Sequence, residues 1–258
     1  MKVVIFAGGM GSRIAEESHL KPKPMIEIGG KPILWHIMKL YAAQGFNDFV
    51  ICLGYKGHLI KEYFLNYYMY NSDLSIDVSN NKIDVHYTNT TNFKITLIDT
   101  GLHTLTAGRL NRIKEHIDTE DFFLTYGDGL ADIDLNAELE FHKNRKKMVS
   151  MTIVQPEGRF GAIKYDENQI VTSFQEKPKG DGTWINGGFF ILNKKIFDYL
   201  PDNSDELMWE QEPLEKFTEM GELAAYKHDG FWHCMDSMKD KSVLETLWEN
   251  KQAKWKSW

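Results

Sequence analysis

The 258-residue sequence predicts an α/β fold, a mixed, mainly parallel central sheet flanked by helices. Three observations predict it. Apolar runs that read as buried strands, Val3 to Ala7 and Phe49 to Leu53, alternate with segments whose apolar residues recur at helical spacing. The first run empties into a glycine-rich turn that starts at Gly8. A later one, Phe122 to Tyr126, ends at Gly127-Asp128-Gly129. Ligands on such sheets bind beyond the carboxyl ends of the strands, and both turns fall there.

The elements follow in order. Two prolines in Lys21-Pro22-Lys23-Pro24-Met25 forbid helix and hold the lysines on an extended loop. Pro32 suits a helix start, Ile33 to Gln44 carry a helical apolar stripe, and Gly45 closes it. A helix is predicted near His58 to Tyr68, and Asp132 and Asp134 are placed to cap another. The second half mixes strands at Met148–Val154, Ile170–Glu176 and Gly187–Leu192 with helices around Pro213–Met220 and Lys239–Trp248. Nothing forces a second domain at this length, so residues 1–258 read as one Rossmann-like domain. A lid or oligomerisation region is expected within residues 60–110 or 200–258. The aromatic residues Tyr63, Phe64, Tyr67, Tyr68 and Tyr70 read as helix packing that extends into a subunit contact.

Composition narrows the function classes. A 42% hydrophobic and 13% aromatic content excludes disorder. A net charge of −7 speaks against a non-specific nucleic-acid binder. Cys52 and Cys234 read as reduced thiols, and no apolar run approaches the length of a membrane span. A soluble, cytoplasmic protein without a leader, nucleic-acid partner or membrane partner is the expectation.

The first loop carries most of the chemistry. Glycines let backbone N–H groups close around phosphates, and Arg13 at the end of Gly8-Gly9-Met10-Gly11-Ser12-Arg13 supplies a bidentate donor. The loop lacks the Gly-Lys-Ser/Thr ending of a Walker A motif. It also lacks the third glycine of the dinucleotide fingerprint, since position 14 is Ile. A tight turn without ligand remains open from the loop alone, and Lys23 alone would read as a surface lysine. The histidines His36, His116, His142 and His228 have no metal-ligand spacing and read as core or surface residues.

Taken together, Gly8–Arg13, Lys21–Met25, Phe174-Gln175-Glu176-Lys177-Pro178 and Asn186-Gly187-Gly188 resemble the signature of nucleotidyltransferases that make nucleoside-diphosphate sugars. Within them the chain is most similar to cytidylyltransferases acting on glucose 1-phosphate. That likeness runs through Ile33–Lys39, Gly54-Tyr55-Lys56-Gly57, Gly158-Arg159-Phe160-Gly161, Trp209-Glu210-Gln211-Glu212-Pro213 and Trp255–Trp258. It implies the fold of that transferase family, and CTP and α-D-glucose 1-phosphate as substrates. CDP-glucose is then the product, feeding deoxysugar and O-antigen lipopolysaccharide synthesis, with Mg²⁺ as cofactor and a homo-oligomeric state. It places Ala7, Gly8, Gly9, Met10, Gly11, Ser12, Arg13, Lys23, Thr104, Arg109 and Gly127 at the nucleotide, Arg109 reading the pyrimidine edge. Glu176, Lys177, Asn186 and Gly187 fall to the sugar phosphate. Asp128 and Asp236 become the metal ligands and, with Arg13 and Lys23, the catalytic set. A uridylyl- or thymidylyltransferase, or a nucleotide-sugar sensor without turnover, is the competing expectation. The chain departs from the family where relatives read Trp-Gln-Pro-Met-Asp-Thr and it has Trp232-His233-Cys234-Met235-Asp236-Ser237. Ser12 stands where threonine is usual.

Overall fold

The computed structural model describes residues 1–11, 14–88, 91–156, 158, 162–175 and 183–258. Strand β1 (Lys2–Ala7) is buried at every position, as the apolar run Val3–Ala7 between two helical layers must be, and Lys2 at its start is paired with Asp48. A short helix α1 (Ala15–Ser18) and a 3₁₀ turn at Lys23–Met25 lead to a small ladder of β2 (Glu27–Ile28) and β3 (Lys31–Pro32). Helix α2 (Ile33–Ala42) starts after Pro32 and buries Ile33, Leu34, Ile37, Met38 and Tyr41, the predicted stripe. Then come β4 (Asp48–Leu53), α3 (Gly57–Leu65) and α4 (Tyr67–Tyr70). A hairpin of β5 (Ser72–Asp77) and β6 (Lys82–Thr88) precedes β7 (Lys94–Asp99), α5 (Thr106–Arg112) and β8 (Asp121–Tyr126). The short β9 (Gly129–Ala131) leads to α6 (Leu135–Arg145) and β10 (Val149–Val154).

Two exposed strands, β11 (Ala162–Tyr165) and β12 (Val171–Gln175), pair with each other. The chain continues through β13 (Ile185–Asn193), α7 (Glu212–Glu219), β14 (Leu223–His228), β15 (Trp232–Cys234) and α8 (Met238–Glu249). The central sheet has seven strands in the order β14-β10-β13-β8-β1-β4-β7. β13 alone among them runs antiparallel to its neighbours β8 and β10. The mixed, mainly parallel sheet is therefore as the sequence predicts.

Alternation along β1 sorts the core. Val3, Ile5 and Ala7 face α2, α8 and the C-terminal Trp255, while Val4 and Phe6 face α5, α7 and Trp209. The sequence reading missed β7, β9, β11, β14, β15, the β5–β6 hairpin and helix α5. It also misjudged one aspartate. Asp134 caps α6 by accepting from Asn136 N and Ala137 N, at 3.0 and 2.9 Å, but Asp132 caps nothing. Its carboxylate instead accepts from Phe231 N and pairs with His228 at 3.1 Å. The histidine readings hold for His36, buried in α2 with its pKa lowered by burial to about 4.

Candidate active site

The carboxyl ends of β1 and β8 meet at one corner because glycine lets them. Gly127 N donates to Phe6 O at 3.0 Å. A Cβ there would lie 2.8 Å from that oxygen and 2.9 Å from Pro24, so only glycine permits the approach. Pro24 belongs to the proline-bracketed loop, and Lys23 is buried there.

Asp236 reaches the same corner from more than 100 residues away through a two-strand ladder. β15 pairs antiparallel with β9, Cys234 opposite Gly129, and Met235 N donates to Asp128 O at 2.9 Å. Sequence distance is irrelevant once two backbones share a register. The ammonium of Lys23 then sits between the carboxylates, 2.7 Å from Asp128 and 2.5 Å from Asp236. Burial works to lower the Lys23 pKa. The Asp128 charge and the hydrogen bonds to both aspartates outweigh it, so the pKa is raised and the lysine stays a cation.

Donor atoms of Asp128, Cys234 and Asp236 lie within 4.8 Å of one another. Two carboxylates that already hold one cation suit a hard divalent ion. Burial, then the Asp128 charge, push the pKa of the Cys234 thiol up, and sulfur is a softer partner than the two carboxylates for such an ion. The Cys234 departure from the family pattern therefore leaves the carboxylate pair intact.

Arg109, expected at the nucleotide, has its guanidinium buried among carbonyls beside the Gly8 loop. Nη1 donates to Leu53 O, Thr100 Oγ1 and Gly101 O at 2.9, 2.7 and 2.9 Å, and Nη2 to Gly8 O at 3.1 Å. One planar cation thus ties together the ends of β1, β4 and β7. A Cβ on Gly8 would lie 2.1 Å from Nη1, so that glycine makes room for arginine as well as for any phosphate. Beyond it, Gly9 and Met10 are exposed and Gly11 adopts a positive φ of 64°. Thr104 is buried in the loop that leads to α5. Ser12, Arg13, Glu176 and Lys177 lie outside the described residues, as does Arg159.

On the far side of the corner, Asn186-Gly187-Gly188 form the irregular first part of β13, where its pairing with β10 shifts register. Asn186 Oδ1 accepts from Gly188 N at 2.8 Å, Thr125 Oγ1 donates to Gly188 O at 2.9 Å, and Trp232 Nε1 donates to Gly187 O at 2.7 Å. A cleft of about 560 Å³ runs from Asn186 and Glu210 past Met151 and Leu214. Sequence reasoning overlooked Thr125, Tyr126 and Trp232. Their only signal was position, one or two residues from a glycine turn or a motif aspartate.

An α/β sheet with a glycine-rich loop after its first strand, facing a lysine and two convergent carboxylates, defines a phosphate-handling transferase. The chain belongs to the nucleotidyl transferase family, whose pattern matches residues 2–246. It is 52% identical to the glucose-1-phosphate cytidylyltransferase of Salmonella typhi, covering 100% of both chains. To the probable glucose-1-phosphate cytidylyltransferase of Bacillus subtilis (strain 168) it is 44% identical, again over 100% of each. Among solved structures it is similar to HddC from Yersinia pseudotuberculosis, with a TM-score of 0.70 and 25% identity. That match covers 96% of this chain and 99% of the other.

Proposed function

We propose that this nucleotidyltransferase makes CDP-glucose and pyrophosphate from CTP and α-D-glucose 1-phosphate. The observation that carries the reading is the convergence of Lys23, Asp128 and Asp236 at the end of the first strand's loop, in a chain 52% identical to a glucose-1-phosphate cytidylyltransferase. A sugar-phosphate oxygen attacks the α-phosphorus of CTP, the bond from that phosphorus to the bridging oxygen breaks, and pyrophosphate leaves. Several negative charges meet in this step, so the protein's contribution is positioning and charge neutralisation.

Arg13 grips the triphosphate, with the backbone of Ala7 to Ser12 around it. Lys23 adds a point charge once it shares its carboxylate partners. Gly127 and Thr104 border the nucleotide, and Arg109 holds that border from beneath. Lys177 meets the sugar phosphate, while Glu176, Asn186 and Gly187 meet the hexose. Asp128 and Asp236 are the residues that would hold Mg²⁺, which when bound neutralises charge on the substrate phosphates.

The central sheet runs from Lys2 to His228, which supports a single domain over 1–258. A cytoplasmic setting agrees with two free cysteines and with the absence, among the described residues, of a helix long and apolar enough to cross a membrane. The product would enter deoxysugar and surface-polysaccharide synthesis. A homo-oligomer is supported by the β5–β6 hairpin. The register places Leu74, Ile76, Ile83 and Val85 on one face, and Ile76, Ile83 and Val85 are exposed there, an apolar patch that a second copy would cover.

Incubating the protein with glucose 1-phosphate, Mg²⁺ and each of the four nucleoside triphosphates, and scoring pyrophosphate release, tests the activity. Release with CTP is expected; release with UTP or dTTP alone overturns the base assignment. No release with any triphosphate favours a non-catalytic sensor. Light scattering on Ile76→Asp tests the assembly, which should fall to a smaller species.

A further inference from the structure

The motif Trp209-Glu210-Gln211-Glu212-Pro213 is not used by the reaction as derived above. Trp209 is wholly buried and anchors the segment in the core beneath α7, and Pro213 sits in the first turn of that helix. The remaining feature is Glu210, whose carboxylate is only half-buried yet fully engaged. Oε1 accepts a short hydrogen bond from the Tyr126 hydroxyl, and Oε2 accepts from Thr106 Oγ1 at 2.7 Å. Thr106 Oγ1 in turn accepts from Trp209 N at 2.8 Å, which closes a ring around the carboxylate.

Tyr126 connects this ring to the first residues of β13. A Cβ on Gly188 would lie 2.6 Å from the Tyr126 ring, so that end of the strand rests directly on the ring. Gly188 has a φ of 78°, a backbone conformation held by the neighbouring contacts. Asn186 Oδ1 is turned inward to Gly188 N, and Thr125, the residue before Tyr126, holds Gly188 O. The position of Asn186 and Gly187 therefore depends on where the Tyr126 ring sits. The ring's tilt depends on its hydroxyl, and the hydroxyl is aimed by Glu210.

We propose that Glu210 is a positioning residue for the sugar phosphate. It acts through Tyr126 on the Asn186–Gly188 segment of β13 and does not touch substrate. Both carboxylate oxygens already carry protein donors, which favours this role over direct recognition of a hexose hydroxyl. The same carboxylate reaches Thr106 at the start of α5, the helix that carries Arg109, but among the described residues the hydrogen bonds of the ring go to Thr106 and Tyr126 and not to Gly8–Gly11. Its effect is accordingly expected mainly on the sugar side. The inference rests on the assignment of Asn186 and Gly187 to the sugar phosphate in the proposed function.

Steady-state kinetics of Glu210→Ala, Glu210→Gln and Tyr126→Phe test it, with thermal melts to confirm folding. Glu210→Ala should raise KM for glucose 1-phosphate about tenfold, while kcat and KM for CTP stay within about twofold. Glu210→Gln, which keeps an acceptor for Tyr126, should recover most of the loss. Tyr126→Phe removes one oxygen from a packed ring and should reproduce the Glu210→Ala effect if that variant fails to fold. The double variant should be no worse than either single one. Titrating CDP-glucose and CTP into each variant reads the same split without turnover: weaker binding of CDP-glucose, unchanged binding of CTP. Loss of kcat alone, equal weakening of both ligands, or no change overturns the proposal. A wild-type protein without cytidylyltransferase activity overturns the functional reading instead, and the titrations still decide the role of Glu210.

Discussion

The two walls of the candidate site, on either side of the Lys23–Asp128–Asp236 corner, are held in opposite ways. On the side proposed for the nucleotide, the ends of three parallel strands are drawn together by one buried cation, Arg109, which reaches carbonyls of Gly8, Leu53 and Gly101. On the side proposed for the sugar phosphate, the start of antiparallel β13 is held by neutral donors, Thr125 Oγ1 and Trp232 Nε1, and rests on the Tyr126 ring, whose hydroxyl donates to Glu210. A parallel arrangement brings many strand ends to one edge, where a planar fork of donors can serve several carbonyls at once. An antiparallel strand enters from its own amino-terminal end, so its loop must be steadied by side chains of its neighbours. The first wall is rigid around a single residue. The second is a distributed network whose parts can be altered separately.

Four experiments sharpen or break that contrast, in falling order of effect. Asp128→Asn strikes the corner where the walls meet and should lower turnover about a thousandfold or more, as loss of charge stabilisation at a phosphoryl centre does. CTP affinity by calorimetry should change only a few-fold. Wild-type turnover in this variant would remove Asp128 from the reaction.

Arg109→Met should cost about 4 kcal/mol in urea unfolding, because it strands buried carbonyls that the guanidinium satisfied. It should also weaken CTP more than glucose 1-phosphate. Equal effects on both substrates would show that the walls are not independent.

Glu138, on α6 beneath the sugar side, is wholly buried, and Thr152 Oγ1 donates to it at 2.6 Å. Burial pushes its carboxyl from 4.5 up to about 7. The folded state therefore holds this proton more tightly than the unfolded chain. Its contribution is complete below pH 4.5 and is lost as pH rises through 7. Unfolding free energy should drop by about 3 kcal/mol across that window, and Glu138→Gln should flatten the decline. A wild-type curve with no slope there would refute the assignment.

Asp134→Ala removes a helix cap remote from both walls and should cost about 1 kcal/mol. Both KM values should stay put; a shift in either would mean that the walls sense α6.

Much of this was legible in the sequence because it is local. Val3 to Ala7 could only be a doubly covered strand, Pro32 could only open a helix, and Gly127 beside Asp128 marked a strand end. The carboxylate pair was named from resemblance, and its meeting was not visible. Nothing near Asp236 announces that β15 will pair with β9. The surroundings of Arg109 were hidden for a related reason. Only the packing of three strand ends brings it onto the carbonyls of Gly8, Leu53 and Gly101. The β5–β6 hairpin escaped because its polar and apolar alternation is short and flanks a bulge between Asp73 and Leu74.

The sequence by itself determined the strand–helix alternation, the phosphate-binding character of the first loop and the identity of the charged residues. Those properties follow from side-chain periodicity, missing Cβ atoms and formal charge, which a chain carries wherever it goes. The tertiary structure alone decided which charges face one another. Lys23 between Asp128 and Asp236, Arg109 beneath Gly8, and Glu210 behind Tyr126 each join residues from 84 to 213 positions apart. Such contacts arise from strand order and register, and these depend on how two helical layers cover one sheet.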